Sequence, residues 1–359
     1  MTGLRINFFQ ETPMRILITG GAGLIGSHCA EHFAKQGCEV LVYDNLMRSK
    51  IFGVDRKSVE YNWNYLKDFK TVTRLKADIR DRAALEKAFK KFKADAVIHA
   101  AGQPGVGFSL NDPCEDASIN AVGTLNVVEA LRQSNSKAVL VYCSTNKVYG
   151  DNVNRFPILE KKTRYSFSRL RGVDEKCSID HCGHTPYGVS KLAGDLYVQD
   201  SARSFGLRTG VFRMSCIYGT RQFGFEDQGW IAWFAIRFMQ GRPLTIYGDG
   251  KQVRDVLWVG DLVNAFDRFI TGKTPSGVFN MGGGQKNTLS LLELIATLES
   301  ITGRSVNVTF DAWRKFDQKV YVSDISKVKR VLKWIPAVDP REGVARIARW
   351  IADNPGLFG

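Results

Sequence analysis

Long apolar runs are missing: no stretch reaches about 18 consecutive apolar residues, so no segment is expected to span a membrane. The opening residues, MTGLRINFFQETP, lack the basic-then-apolar order of a secretory leader. The first predicted strand starts at Met14, which leaves residues 1–13 as an N-terminal extension or a start-site artefact. Paired cysteines are also lacking. The seven are odd in number and scattered, which is reduced-thiol usage and points to a cytoplasmic protein. The one cluster with ligand potential is Cys177, His181, Cys182 and His184, and its spacing fits no common zinc pattern, so no metal is expected. No internal repeat and no low-complexity stretch interrupts the chain. Acidic residues are the minority charge, and the formal net charge is +14. The basic residues are spread rather than gathered on one helix or tail. That pattern suits a surface attracting anionic metabolites and not a nucleic-acid partner.

What is present is a chain of 359 residues, 44% hydrophobic, enough for one large domain or two intimately joined ones. MRILIT reads as an apolar strand running into Gly20, Gly23 and Gly26, and a helical pattern follows. Glycines at that spacing permit a tight turn and close backbone approach. The helix N-terminus, with Leu24 and Ile25, offers free N–H groups to a pyrophosphate. The strand CEVLVY then ends at Asp44-Asn45, about 20 residues on, where a carboxylate binds an adenosine ribose and repels a 2′-phosphate. NAD is therefore expected over NADP, with nearby Arg48 a weak counter-signal. Residues 45–70 read as a long aromatic-rich connection. A third strand ends at Asp78-Ile79, beside the adenine, and a fourth at His99-Ala100-Ala101-Gly102, where small residues admit the cofactor. His99 reads as a packed strand histidine. The alternation predicts an α/β fold: a Rossmann-type doubly wound parallel sheet with a smaller α/β C-terminal substrate domain.

The stretch Ala138–Gly150, AVLVYCSTNKVYG, is a fifth buried strand running into Ser144, Thr145, Asn146 and Lys147. Polar residues just past a strand end lie where open parallel sheets bind ligands. The irregular stretch 151–185 follows. Thr185-Pro186 then opens a long helix on which Tyr187 and Lys191, four residues apart, share a face. A free tyrosine, with a pKa of about 10, is a poor base. The Lys191 cation and the positive nicotinamide are expected to lower that value, while Thr145 positions the substrate hydroxyl. RTGVFRMSCIYG reads as a sixth strand. The implied division is 14–218 for the NAD-binding domain, with part of 253–270 returning to it, and 219–252 plus 271–350 for the substrate domain.

Gly20-x-x-Gly23-x-x-Gly26, Ser144-Thr145 and Tyr187-x3-Lys191 together resemble the extended short-chain dehydrogenase/reductase family of nucleotide-sugar epimerases and dehydratases, from Met14 to about Trp350. Longer strings narrow the likeness: TNKVYG at 145–150, YGTRQF at 218–223, DQGW at 227–230, GKQVRDVL at 250–257 and Asp317-Gln318 are similar to the CDP-paratose (CDP-tyvelose) 2-epimerase branch. The resemblance implies a bound NAD, a CDP-activated hexose inverted at C2, and a homodimer or higher homo-oligomer; the exposed-looking helices 124–134 and 188–204 are the candidates for pairing. Dehydratases of this fold look like Thr-Asp-Glu where this chain has Thr145-Asn146-Lys147, so the acid pair that eliminates water is missing.

The substrate side is expected to include Gln103, Asn146, Arg213, Ser215, Gln222, Gln228 and Trp230. Arg254 and Arg314 suit a diphosphate, since guanidinium binds phosphate bidentately. Tyr247, or failing it Trp258, suits the base. CDP-glucose to CDP-mannose is also an open hexose pair. The rival readings are a UDP-sugar 4-epimerase on the same scaffold and a catalytically silent NAD-sensing or RNA-binding protein.

Overall fold

The computed structural model describes residues 13–53, 56–314 and 316–358. Of the expected extension 1–13, only Pro13 falls among them. β1 (Arg15–Thr19) feeds α1 (Leu24–Lys35), and β2 (Glu39–Asp44) lies beside β1. The aromatic connection 45–70 is more ordered than its composition suggests. It contains α2 (Arg48–Phe52) and α3 (Arg56–Tyr65) before β3 (Val72–Lys76). α4 (Arg82–Phe92) is capped by Asp81, which accepts from the Ala84 N–H at 3.0 Å, and leads to β4 (Ala96–His99). Short helices α5 (Val106–Asn111) and α6 (Pro113–Ala117) pass through a π-turn at 118–122 into α7 (Gly123–Ser134), then β5 (Val139–Thr145).

The expected loop 151–185 carries a hairpin, β6 (Ile158–Glu160) and β7 (Tyr165–Phe167). Beyond the hairpin it is tied down by Asn152, whose amide donates to the carbonyls of Ser178 and Asp180 at 2.9 and 3.0 Å. α8 (Thr185–Phe205) starts with Pro186 in its first turn and ends at Gly206, which adopts φ +69°. The buried positions Tyr187, Lys191, Gly194, Val198 and Ser201 recur every three or four residues along it, the spacing of one helix face.

The predicted sixth strand is two. β8 (Arg208–Met214) joins the main sheet, whereas β9 (Cys216–Tyr218) leaves it to pair with β11 (Val253–Trp258). Between them lie α9 (Trp230–Met239) and β10 (Leu244–Tyr247). α10 (Val259–Thr271) then returns to the main sheet with β12 (Gly277–Met281), which pairs in parallel with β8. Residues 271–350 are thus not one unit of the second region, as the sequence division had it. A five-residue apolar strand reads the same in either sheet, and β12 belongs to the first. The remainder, β13 (Thr288–Ser290), α11 (Leu291–Thr302), β14 (Val308–Asp311), β15 (Val320–Tyr321), α12 (Ser326–Leu332) and α13 (Pro340–Asp353), builds the second region, except that α12 packs on β12.

The main sheet is seven-stranded and parallel, in the order β3-β2-β1-β4-β5-β8-β12. Its central strands are buried on both faces, as such sheets must be. Ile16 and Ile18 face α1 and α10, with Phe33, Phe266 and Phe269, while Leu17 faces α4, α7 and α8, with Leu85, Val127 and Val198. A separate core, with Phe234, Phe238, Ile246, Leu294 and Ile347, holds α9, α11 and α13 together.

Candidate active site

Strand order reverses between β1 and β4, and the crevice above their carboxyl ends is where an open α/β sheet takes its ligand. A cavity of about 330 Å³ opens there, lined by Gly20, Gly23, Leu24, Ile25, Gly26, Asp44, Asn45, Asp78, Ile79, Ala100, Ala101 and Gly102. Its floor needs glycine. A Cβ on Gly20, at φ +70°, would lie 2.5 Å from the Ala101 amide, and one on Gly26 would lie 2.3 Å from the Gly20 carbonyl. α1 starts without a side-chain cap and without an acid in its first turn, so its first N–H groups are left for an anion.

Asp44 closes the far side. Its carboxylate accepts from the Ala22 and Leu46 N–H groups at 3.0 and 2.7 Å. Burial pushes its pKa up, against those two hydrogen bonds. Asn45 donates to Asp78 at 2.9 Å. Arg48, the counter-signal to NAD, is turned to the opposite wall, donating to the Phe223 carbonyl at 2.6 Å and to Gln228 at 2.9 Å. His99 is a packed strand histidine between the Thr19 and Thr124 hydroxyls, at 2.6 and 3.0 Å. These backbone-built features fit a dinucleotide: a glycine floor, open helix N–H groups and a carboxylate at the β2 end.

The same cavity is lined at its inner end by Ser144, Thr145, Tyr187 and Lys191. Tyr187 and Lys191 come from the first two turns of α8, Thr145 from the last residue of β5. The Lys191 ammonium donates to the Cys143 carbonyl at 2.7 Å and sits 4.4 Å from the centre of the Tyr142 ring. The Thr145 hydroxyl and the Tyr187 phenol both line this end of the cavity. Burial pushes Tyr187 up and Lys191 down, and each charge pulls the other back. The expected lowering of the tyrosine is therefore present as a contribution but outweighed: burial leaves Tyr187 above the ordinary phenol range.

Behind Lys191 lies a buried polar network that sequence reasoning missed. Asn120 donates to Asp116 and Ser190, both at 3.1 Å, and accepts from the Gln103 N–H at 2.8 Å. Ser190 also donates a short hydrogen bond to Asp116. Gln103 lines the cavity, but its side-chain amide is committed to Asp116 and to the Gly105 carbonyl, each at 2.8 Å. Asn120 sits in the π-turn, a departure from helical geometry often found at functional sites and invisible to a 3.6-residue pattern.

A second cavity, about 530 Å³, shares Gln228 with the first. Trp230, Tyr247, Arg254 and Arg314 line it, as do Lys147, Cys216, Trp233, Glu226, Asp227 and Asp317. Its arginines are already paired: Arg254 with Asp317 at 2.5 Å and Arg314 with Asp227 at 2.9 Å. The Arg314 guanidinium lies 4.2 Å from the Tyr247 ring centre, and the Tyr247 hydroxyl donates to Glu226. Ser215 and Gln222 line the first cavity rather than the second.

Three sequence expectations need correction. Arg213 lines neither cavity. It is buried, bidentate to Asp195 at 3.0 and 3.1 Å, and it donates to the Tyr149 hydroxyl at 3.2 Å. An arginine inside a strand of the buried sheet needs a partner of its own, and Asp195 on α8 supplies it. Asn146 also lines neither cavity; it is buried and accepts from Thr145 at 3.3 Å. Trp258 belongs to the core of the second region, edge-on to Tyr218. Among the described residues no group of three or more His, Cys, Asp or Glu is placed to hold a metal ion, and no helix is long and apolar enough to cross a membrane.

A crevice that cradles a dinucleotide and meets a tyrosine–lysine–threonine group at its inner end defines a class. It is that of enzymes passing hydride to and from an alcohol carbon while a phenol handles the proton. Residues 16–282 match the model of the NAD dependent epimerase/dehydratase family, and the chain belongs to that family. Its cofactor is NAD.

The chain is 40% identical to CDP-paratose 2-epimerase of Salmonella typhi, over 94% of this chain and 99% of that protein. Among solved structures it is similar to UDP-glucose 4-epimerase of Thermotoga maritima, determined with UDP-glucose (TM-score 0.79, 28% identity, covering 95% of this chain and 100% of that one). It is also similar to UDP-glucuronic acid 4-epimerase of Bacillus cereus, determined with UDP-glucuronic acid and NAD (TM-score 0.80, 26% identity, covering 95% and 99%).

Proposed function

We propose that this enzyme inverts C2 of a CDP-hexose, either CDP-paratose to CDP-tyvelose or CDP-glucose to CDP-mannose. The observation that carries the reading is the 40% identity to a CDP-paratose 2-epimerase across almost the whole of both chains. The turn after β5 agrees with it. Asn146-Lys147 brings no carboxyl pair beside Thr145, so nothing in that turn would expel water from an oxidised sugar.

In this mechanism Thr145 holds the C2 hydroxyl by a hydrogen bond and Tyr187 takes its proton. Lys191, fixed by the Cys143 carbonyl, stabilises the phenolate in a site that burial otherwise makes hostile to charge. NAD supplies the hydride acceptor and donor, and its oxidised ring adds positive charge to that of Lys191. The 2-keto sugar then turns its other face within the wider second cavity, and Tyr187 returns the proton. Leu24, Ile25 and Gly26 hold the pyrophosphate by backbone N–H groups, and Asp44 holds the adenosine ribose. Arg254 and Arg314 exchange their internal carboxylates for the substrate diphosphate.

The apolar residues Leu110, Val122, Val189, Leu196 and Tyr197, all exposed along or beside α8, support a second copy of the chain as a partner. The test is incubation with CDP-glucose, CDP-paratose and UDP-glucose, followed by analysis of the released sugar. Inversion at C2 of a CDP-sugar is the expected result. A product inverted only at C4 overturns the reading in favour of a 4-epimerase.

A further inference from the structure

The second cavity is lined by three cations and three carboxylates among the described residues, and its charges can be matched one by one. Arg254 is met by Asp317 and Arg314 by Asp227, while Glu226 accepts from Tyr247. Lys147 is left over. Among the described residues its ammonium makes no hydrogen bond and no ion pair, although it lies in the cavity wall. A half-buried ammonium in a cavity wall with no partner of its own is a place where an anionic ligand supplies one.

Its position is fixed from both sides. The Lys147 N–H donates to the Thr145 hydroxyl at 3.2 Å, and a Cβ on Gly188, one residue past Tyr187, would lie 3.0 Å from the Lys147 carbonyl. The side chain thus leaves the turn that presents the positioning hydroxyl of Thr145 but lines the second cavity, near Arg254, Asp317 and Cys216. In a sugar nucleotide, the group between the sugar and the rest of the molecule is the sugar-linked phosphate.

We propose that the Lys147 ammonium binds the sugar-linked phosphate of the nucleoside diphosphate sugar, as a substrate-anchoring residue. This rests on the proposed CDP-hexose reading. An anchor so close to Thr145 would draw the phosphate toward the reacting group and bring C2, next to the anomeric carbon, to Tyr187. Burial and the neighbouring Arg254 charge lower the Lys147 pKa to about 8, against the opposite pull of Asp317 and Cys216. The anchor is charged at neutral pH and lost in mild alkali.

The test compares binding of CDP and CMP, since CMP lacks that phosphate, to the NAD-loaded wild type, Lys147→Met and Lys147→Arg. Lys147→Met is expected to weaken CDP by about 10- to 100-fold with CMP changed less than about twofold, and Lys147→Arg to restore most of the loss. CDP and CMP weakened alike, or CDP unchanged, would overturn the proposal. Wild-type affinity for CDP provides a second measurement that needs no variant. The ligand's own phosphate is already ionised above about pH 7, so affinity should fall as pH rises through 8. A flat profile to pH 9.5 would also overturn it. Inversion at C4 in the sugar assay removes the C2 reading while leaving this binding result standing, so the two failures are distinguishable.

Discussion

The two limbs of the cleft are built by opposite means. The dinucleotide limb is mostly backbone: glycines, small residues at the β4 end and the open N-terminus of α1, with Asp44 as its one side-chain anchor. The substrate limb is mostly side chains, drawn from α5, the turn after β5, β9, α9, β10, β11 and the segment before β15, and its arginines are paired with its carboxylates. Backbone recognition suits a cofactor that never changes. Side-chain recognition lets relatives of one fold take different sugars.

The most severe way to break this division lies at the junction. Tyr187→Phe should lower turnover by about a thousandfold while NAD stays bound, because only the proton acceptor is removed. Activity within tenfold of wild type would move the base elsewhere. Next in size, Gly26→Val should weaken NAD retention by about a hundredfold, as a Cβ alone would reach 2.3 Å from the Gly20 carbonyl. The NAD content of purified protein, read from its absorbance, checks it. Arg254→Met should raise KM for the CDP-hexose about tenfold with NAD content unchanged. Loss of NAD in that variant would show the limbs to be coupled.

The smallest effect is on stability. Burial lowers the pKa of His99 to about 3 from an unfolded value near 6.5, so it folds neutral. Its contribution is complete above pH 6.5 and is lost as pH falls toward 3. His99→Gln should shrink the drop in Tm between pH 7 and pH 4 by about 2–4 °C. An unchanged drop would count against it. Acid is thus expected to cost the whole fold stability, whereas alkali is expected to weaken the substrate limb.

Legibility followed the same line. That Gly20 to Gly26, Asp44, Thr145, Tyr187 and Lys191 meet at one cavity was readable, because backbone approach and helix faces depend on local spacing. The substrate limb depends on pairings between distant segments, and no local pattern reports those. Arg213 looked like a ligand because nothing in its strand names Asp195, 18 residues earlier on α8, as its partner. The split of β8 from β9 turns on Ser215, whose N–H reaches Met281 while its hydroxyl reaches Asp255, so one residue bridges the two sheets. Asp116, Asn120 and Ser190 converge only through the π-turn.

The return of α10 and β12 to the main sheet has a consequence for how such an enzyme can be remodelled. The chain enters the second region after β8, comes back at Val259, and leaves again after Met281. No single cut separates the two halves: a fragment ending before residue 259 would strip Phe266, Phe269 and Phe279 from Phe212 and uncover the part of that face that α1 does not reach. Changing the sugar by grafting a relative's C-terminal half would therefore carry sheet and helix across with the pocket. Exchange of two separate inserts, leaving 259–281 in place, respects the way the chain is threaded.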